Sequence, residues 1–64
     1  MELRFWCAGW PDGTAVRRRL GEIDGLGAVH MEPDGRELTV RSFSAESARE
    51  AAVRLRELGW RQME

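Results

Sequence analysis

The 64-residue chain contains no Lys, Asn or Tyr, one Cys, one His and two Pro. With Cys7 alone, no disulfide can form within the chain, and no multi-cysteine metal site can be assembled in it. A single histidine, His30, leaves a nucleophilic triad one candidate base, and the strand pattern below places that base on a flat sheet rather than in a cleft. No stretch matches Gly-x-x-x-x-Gly-Lys, and the glycines from Gly9 to Gly13 are too close together for a phosphate loop. No apolar run approaches the roughly 20 residues needed to cross a bilayer. Met-Glu-Leu-Arg-Phe-Trp at the start alternates in polarity and lacks the apolar centre of a signal peptide, so a cytoplasmic location and no membrane partner are expected. Ten basic residues, all Arg, face eleven acidic ones, a net charge of −1. That balance gives little electrostatic grip on nucleic acid. Arg without Lys, together with abundant Gly and Glu, points to a GC-rich bacterial coding sequence.

What is present is the composition of a folded domain: 42% hydrophobic and 33% charged residues. A single domain over residues 1–64 is expected, with a thin core, because a chain of this size buries only about 60% of its unfolded surface. A cleft large enough for catalysis is improbable at this size, and the chain reads as a non-enzyme with no cofactor.

Leu3, Phe5 and Cys7 alternate with Glu2, Arg4 and Trp6, the period-two signature of a half-buried strand. Turn residues follow from Gly9 to Gly13. Thr14 or Asp12 can cap a helix with Val16, Leu20 and Ile23 inward and Arg17, Arg18 and Glu22 outward. Gly21 within that helix either accommodates a close backbone or marks early fraying. Gly25 and Gly27 end it. Val29 and Met31 alternate with His30 and Glu32 as a second strand, and Pro33-Asp34-Gly35 makes a hairpin turn. Leu38 and Val40 alternate with Glu37, Thr39 and Arg41 as a third. Ser44 caps a second helix whose inner stripe is Ala48, Ala51, Ala52, Leu55 and Leu58, with Glu50 and Arg54 paired on its outer side. Gly59 suits the position after the helix, and Trp60 to Met63 form a short last strand.

Strand-helix-strand-strand-helix-strand in this length closes most simply as an α+β ferredoxin-like plait. Its four-stranded antiparallel sheet has order 4-1-3-2, and both helices lie on one face. The same plait carries acylphosphatases, which depend on an Arg and an Asn; this chain has no Asn.

Several short motifs resemble the heavy-metal-associated domain of copper chaperones and metal-pumping ATPases. They are Leu3…Phe5…Cys7-Ala8-Gly9-Trp10, then Gly25-Leu26-Gly27-Ala28-Val29-His30-Met31-Glu32, then Leu38-Thr39-Val40 and Leu58-Gly59-Trp60. The resemblance spans nearly the whole chain and implies the plait. It departs from the family at the metal loop. There the two ligand cysteines would fall on Asp12 and Ala15, or on Gly9 and Asp12, and neither alignment supplies the thiolates that select Cu(I) or Zn(II). The resemblance implies the family's fold without its metal site.

Cys7 lies in phase with Leu3 and Phe5 and reads as an inert core residue. Trp6, His30, Thr39 and Arg41 fall on the opposite, open face of the sheet and form the candidate interaction surface. There Trp6 either packs along the aliphatic stems of Arg4 and Arg41 or meets a partner. Trp10 would plug one end of the core, and Trp60 would anchor the second helix. Arg17-Arg18-Arg19 reads as a solvated basic face balanced by Glu22 and Asp24. The leading reading is an interaction or regulatory module that contacts a protein partner or a second copy. One alternative is a metal carrier using Cys7 with Met1, Met31 or His30. The other is a weak binder of RNA or single-stranded DNA that stacks bases on the sheet face.

Overall fold

Alternation of polar and apolar residues produces four strands, and two apolar stripes at helical spacing produce two helices that cover one side of them. A computed structural model describes residues 1–7, 9 and 11–63. The elements run β1 (Glu2–Cys7), α1 (Gly13–Leu20), β2 (Leu26–Met31), β3 (Glu37–Ser42), α2 (Ala45–Glu57) and β4 (Trp60–Gln62). All four strands pair antiparallel in one sheet of order β2-β3-β1-β4. The order given above, 4-1-3-2, was counted from the β4 edge. Counted from the β2 edge it is 2-3-1-4, with the same pairings: β1 with β3 and β4, and β3 with β2.

Register follows from burial. Leu3 faces Val40 and Phe5 faces Leu38 across the β1–β3 pair. Phe5, Cys7, Leu38 and Val40 join Val16 and Leu20 of α1, Ala51 and Leu55 of α2, and Trp60 of β4 in a single buried cluster. A one-residue slip would turn every one of these strand residues outward. Trp60 is buried and links β4 to the core, as its place after Gly59 predicts. Gly59 takes φ +93°, a left-handed conformation that costs an L-residue roughly 1–2 kcal/mol.

Of the two cap candidates for α1, Asp12 is the one used, accepting from the Ala15 amide at 3.1 Å. The helix predicted to reach Ile23 ends at Leu20, and Gly21 closes it through its amide to the Arg17 carbonyl at 2.9 Å. Ile23 packs against the core from the following turn instead. Early termination is the outcome Gly21 favours, since Gly gains least from remaining helical.

Gly27 was read as part of the helix terminator but lies inside β2, where the register with β3 shifts between Leu26 and Val29. A bulge of this kind is where glycine in a strand is usually found. Val29 has inward parity opposite Val40, yet it is 38% exposed. It sits on the edge strand of the sheet, lining an open cleft with Arg17 and Leu20 of α1. Glu32 falls one residue past β2, although its amide still reaches the Glu37 carbonyl at 2.9 Å. Similarly, β4 ends at Gln62, and the Met63 amide bonds the Arg4 carbonyl at 2.7 Å.

The helices are tied to each other on their outer sides. Arg19 of α1 reaches Glu57 of α2 at 3.5 Å, and Arg54 of α2 spans Glu22 at 3.2 Å and Glu50 at 3.3 Å. Part of the basic tract is therefore a helix–helix clasp. Such exposed pairs each contribute about 0–1 kcal/mol.

Ser42, Ser44 and Ser47 form a polar knot where β3 turns into α2. Ser44 caps the helix by accepting from the Ser47 amide at 3.1 Å. The Ser47 hydroxyl donates to the Gly25 carbonyl at 3.1 Å and also contacts the Ser42 hydroxyl. Ser42 and Ser47 are both buried, so the knot satisfies groups that would otherwise be costly to remove from water. Gly25 turns the chain there at φ +85°, a conformation that L side chains rarely adopt.

Candidate functional site

Two helices cover one face of the sheet, and the other face is built from the outward residues of the same strands. Across β1 and β3 these pair as Glu2 with Arg41, Arg4 with Thr39 and Trp6 with Glu37. β2 adds His30 beside Thr39, and β4 adds Arg61 beside Trp6. The parity expected from the sequence is therefore the parity found: Trp6, His30, Thr39 and Arg41 share this face.

They do not form one tight cluster. His30 and Thr39 are direct cross-strand neighbours, and Arg41 lies two residues further along β3. Trp6 sits one rung from Thr39, on the diagonal, within reach of a large side chain. Arg41 is opposite Glu2, four residues along β1 from Trp6 and roughly 13 Å away at strand rise. The expectation that Trp6 packs along the stem of Arg41 is thus corrected. In the other direction Trp6 shares a shallow cleft with Cys7, Asp34 and Arg36 of the hairpin, Glu37 and Met63.

Around the tryptophan the face is charged and internally paired. Arg4 lies 3.8 Å from Glu37, Arg41 lies 3.4 Å from Glu2, and His30 Nε2 lies 3.6 Å from Glu32. Trp6 remains 42% exposed within this setting. Isolated apolar residues on a surface are ordinary, but a tryptophan in the central strands of a charged sheet face buries a large area once covered.

Phe43 was not singled out from the sequence and is the most exposed large apolar residue described, at 81%. It directly follows β3, with the outward parity of Thr39 and Arg41, and its ring lies close to Gly27. A signal existed. Continuing the β3 alternation past Arg41 turns Ser42 inward and Phe43 outward. Its place just before the Ser44 cap suggests a hydrophobic staple against Ala48, which would have hidden it. The exposure shows that this staple is not made. The open face therefore carries an aromatic at each end, Trp6 beside the hairpin and Phe43 beside the start of α2.

The residues considered for an unorthodox metal set are dispersed. Cys7 is 3% exposed inside the core, His30 is on the open face, and Met1 is at the far end of β1, bonded to Ser42. Met31 lies beside Gly13. Among the described residues, no three His, Cys, Asp or Glu side chains converge as a metal ion requires. Trp10, expected to plug the core, lies outside the described residues, as does Ala8 of the loop aligned with the metal-binding segment. Among the described residues, no helix is long and apolar enough to cross a membrane. No family model matches this sequence, and no curated protein matches it.

Proposed function

We propose that the chain is a non-enzymatic interaction or regulatory module built on a ferredoxin-like plait, with its open sheet face as the contact surface. It resembles the heavy-metal-associated domain without that family's thiolates. The carrying observation is Trp6, large, on an inner strand and 42% exposed on a face otherwise made of charged and polar groups. Phe43 at the far end of the same face supports the reading. Trp and Arg are the residue types most enriched where binding energy concentrates, and both are present. We assign a bacterial source on composition.

The carrier alternative loses support because Cys7, its one soft thiol, is enclosed by the core. Competition against a chromophoric Cu(I) chelator is expected to show no complex of chaperone-like affinity; a one-to-one complex abolished by Cys7→Ser would reinstate the carrier. The RNA alternative has one aromatic on the sheet itself to stack a base, worth about 1–3 kcal/mol, and little charge to add to it.

The contact surface is tested by placing a photo-cross-linking residue at Thr39, in the middle of the face, and at Val53, exposed on the outer side of α2. Cross-linking to protein from position 39 that disappears with Trp6→Ala is expected. Equal cross-linking from both positions would remove the open face from consideration.

A further inference from the structure

The charges of the open face match those of a second copy of the same face. Three rungs define it. Arg41 of β3 stands beside Glu2 of β1, Thr39 beside Arg4, and Glu37 beside Trp6. On the third rung, Glu32 extends the row outside Glu37, and Arg61 extends it outside Trp6.

A two-fold pair of such faces can be formed about several axes lying in the plane of contact. An axis along β3 sets Arg41 over Arg41 and Glu37 over Glu37. An axis along β1 sets Arg4 over Arg4 and Glu2 over Glu2. An axis across the strands at the middle rung again stacks Arg4 on Arg4. Like charges held opposite one another oppose association.

The axis parallel to the strands and midway between β1 and β3 behaves differently. It lays each β3 over the other copy's β1 and each β2 over the other copy's β4. Arg41 then meets Glu2, Glu32 meets Arg61, Thr39 meets Arg4 and Glu37 meets Trp6. No like charges are opposed. The two Trp6 rings flank the axis on one rung, on strands offset sideways by about 4.8 Å in sheets stacked about 10 Å apart, and each Phe43 lies over the start of the other copy's β1. A two-fold interface must be complementary to itself, and this axis meets that requirement.

We propose that the open face binds a second copy of the chain about this axis, an inference that rests on the contact-surface reading above. Extents of 28 × 23 × 19 Å allow at most about 640 Å² per copy, roughly 1,300 Å² in the pair, at the low end of specific interfaces. The dimer is therefore reversible and concentration-dependent.

Sedimentation equilibrium of the full chain over a concentration series tests it, with circular dichroism confirming that each variant is folded. A monomer–dimer equilibrium is expected. Trp6→Ala raises the dissociation constant by about 30-fold or more, as loss of an aromatic anchor beside the axis does. Glu2→Arg opposes like charges at two symmetry-related places and raises it by roughly 10-fold or more. The pair Glu2→Arg with Arg41→Glu restores the contact to within about 3-fold of the original. A chain that stays monomeric up to about 1 mM overturns the dimer, and the cross-linking at Thr39 then decides the contact-surface reading separately. A dimer indifferent to all three variants forms elsewhere and overturns this proposal, and the same cross-linking again decides the contact-surface reading.

Discussion

Phe5 and Trp6 are adjacent aromatics on one strand, and the sheet sends them to opposite fates. Phe5 faces Leu38, lies within the cluster shared by both helices and is 1% exposed. Trp6 faces Glu37 and Arg61 and is 42% exposed. Side-chain size does not separate them, since the larger residue is the more exposed. What separates them is that two helices can cover only one face of a four-stranded sheet. The inner face is apolar and continuous, closed by Trp60 and Leu55. The outer face is a set of exposed ion pairs with an aromatic at either end. Stability resides on the first face, and the second is free to specify a contact.

The sharpest test of that contrast is the pair of truncations. Phe5→Ala is expected to cost about 3–5 kcal/mol, the loss typical of emptying an aromatic site in a core, which in a domain of this size threatens folding itself. Trp6→Ala is expected to cost about 1 kcal/mol in the monomer, because only part of its apolar area is covered. Chemical denaturation at protein concentrations too low for association measures both. Equal losses would show that the outer face is structural and erase the distinction.

An effect smaller than that of Phe5→Ala is expected at the polar knot where β3 turns into α2. Ser47→Ala removes the donor to the Gly25 carbonyl and the partner of the Ser42 hydroxyl. A loss of about 0.5–1.5 kcal/mol follows, the net worth of a typical hydrogen bond, because the Gly25 carbonyl keeps the Phe43 amide and the Ser42 hydroxyl keeps the Ser44 carbonyl as partners. Amide exchange should show the loss as faster opening at Phe43, whose amide bonds the Gly25 carbonyl at 2.9 Å. No change in either measurement would mean that water replaces the hydroxyl without penalty.

The smallest effect on folding is expected at Phe43. At 81% exposure it has little contact to lose, and Phe43→Ser should shift monomer stability by less than about 0.5 kcal/mol. Its association should nevertheless weaken measurably in the same sedimentation series. A clear loss of stability would place Phe43 with the core residues rather than with Trp6.

Much of this arrangement was legible from residue order. Alternation in β1 and β3 separated Phe5 and Cys7 from Trp6, and Thr39 and Arg41 from Leu38 and Val40, because the strand period is two wherever the strand lies. Ser44 and Gly59 marked the ends of α2, because capping chemistry acts over three or four residues. Hairpin geometry at Pro33-Asp34-Gly35 was equally local, and Asp34 accepts from the Arg36 amide at 2.9 Å.

What escaped the sequence depended on distant neighbours. Ile23 kept the helical spacing although its helix ends at Leu20, since an apolar residue packs equally well from a turn that passes over the core. Val29 alternated correctly and is still exposed, because edge position governs its cover. Phe43 looked like an ordinary residue before a helix cap, and only the packing at the β3–α2 junction decided that it would face solvent. The sequence by itself determined which residues each strand turns to either side, through the two-residue period and short-range capping. Only the tertiary structure decided which side the helices would cover and which aromatics would stay exposed. Burial is a property of the assembled layers, and no local pattern contains the far layer.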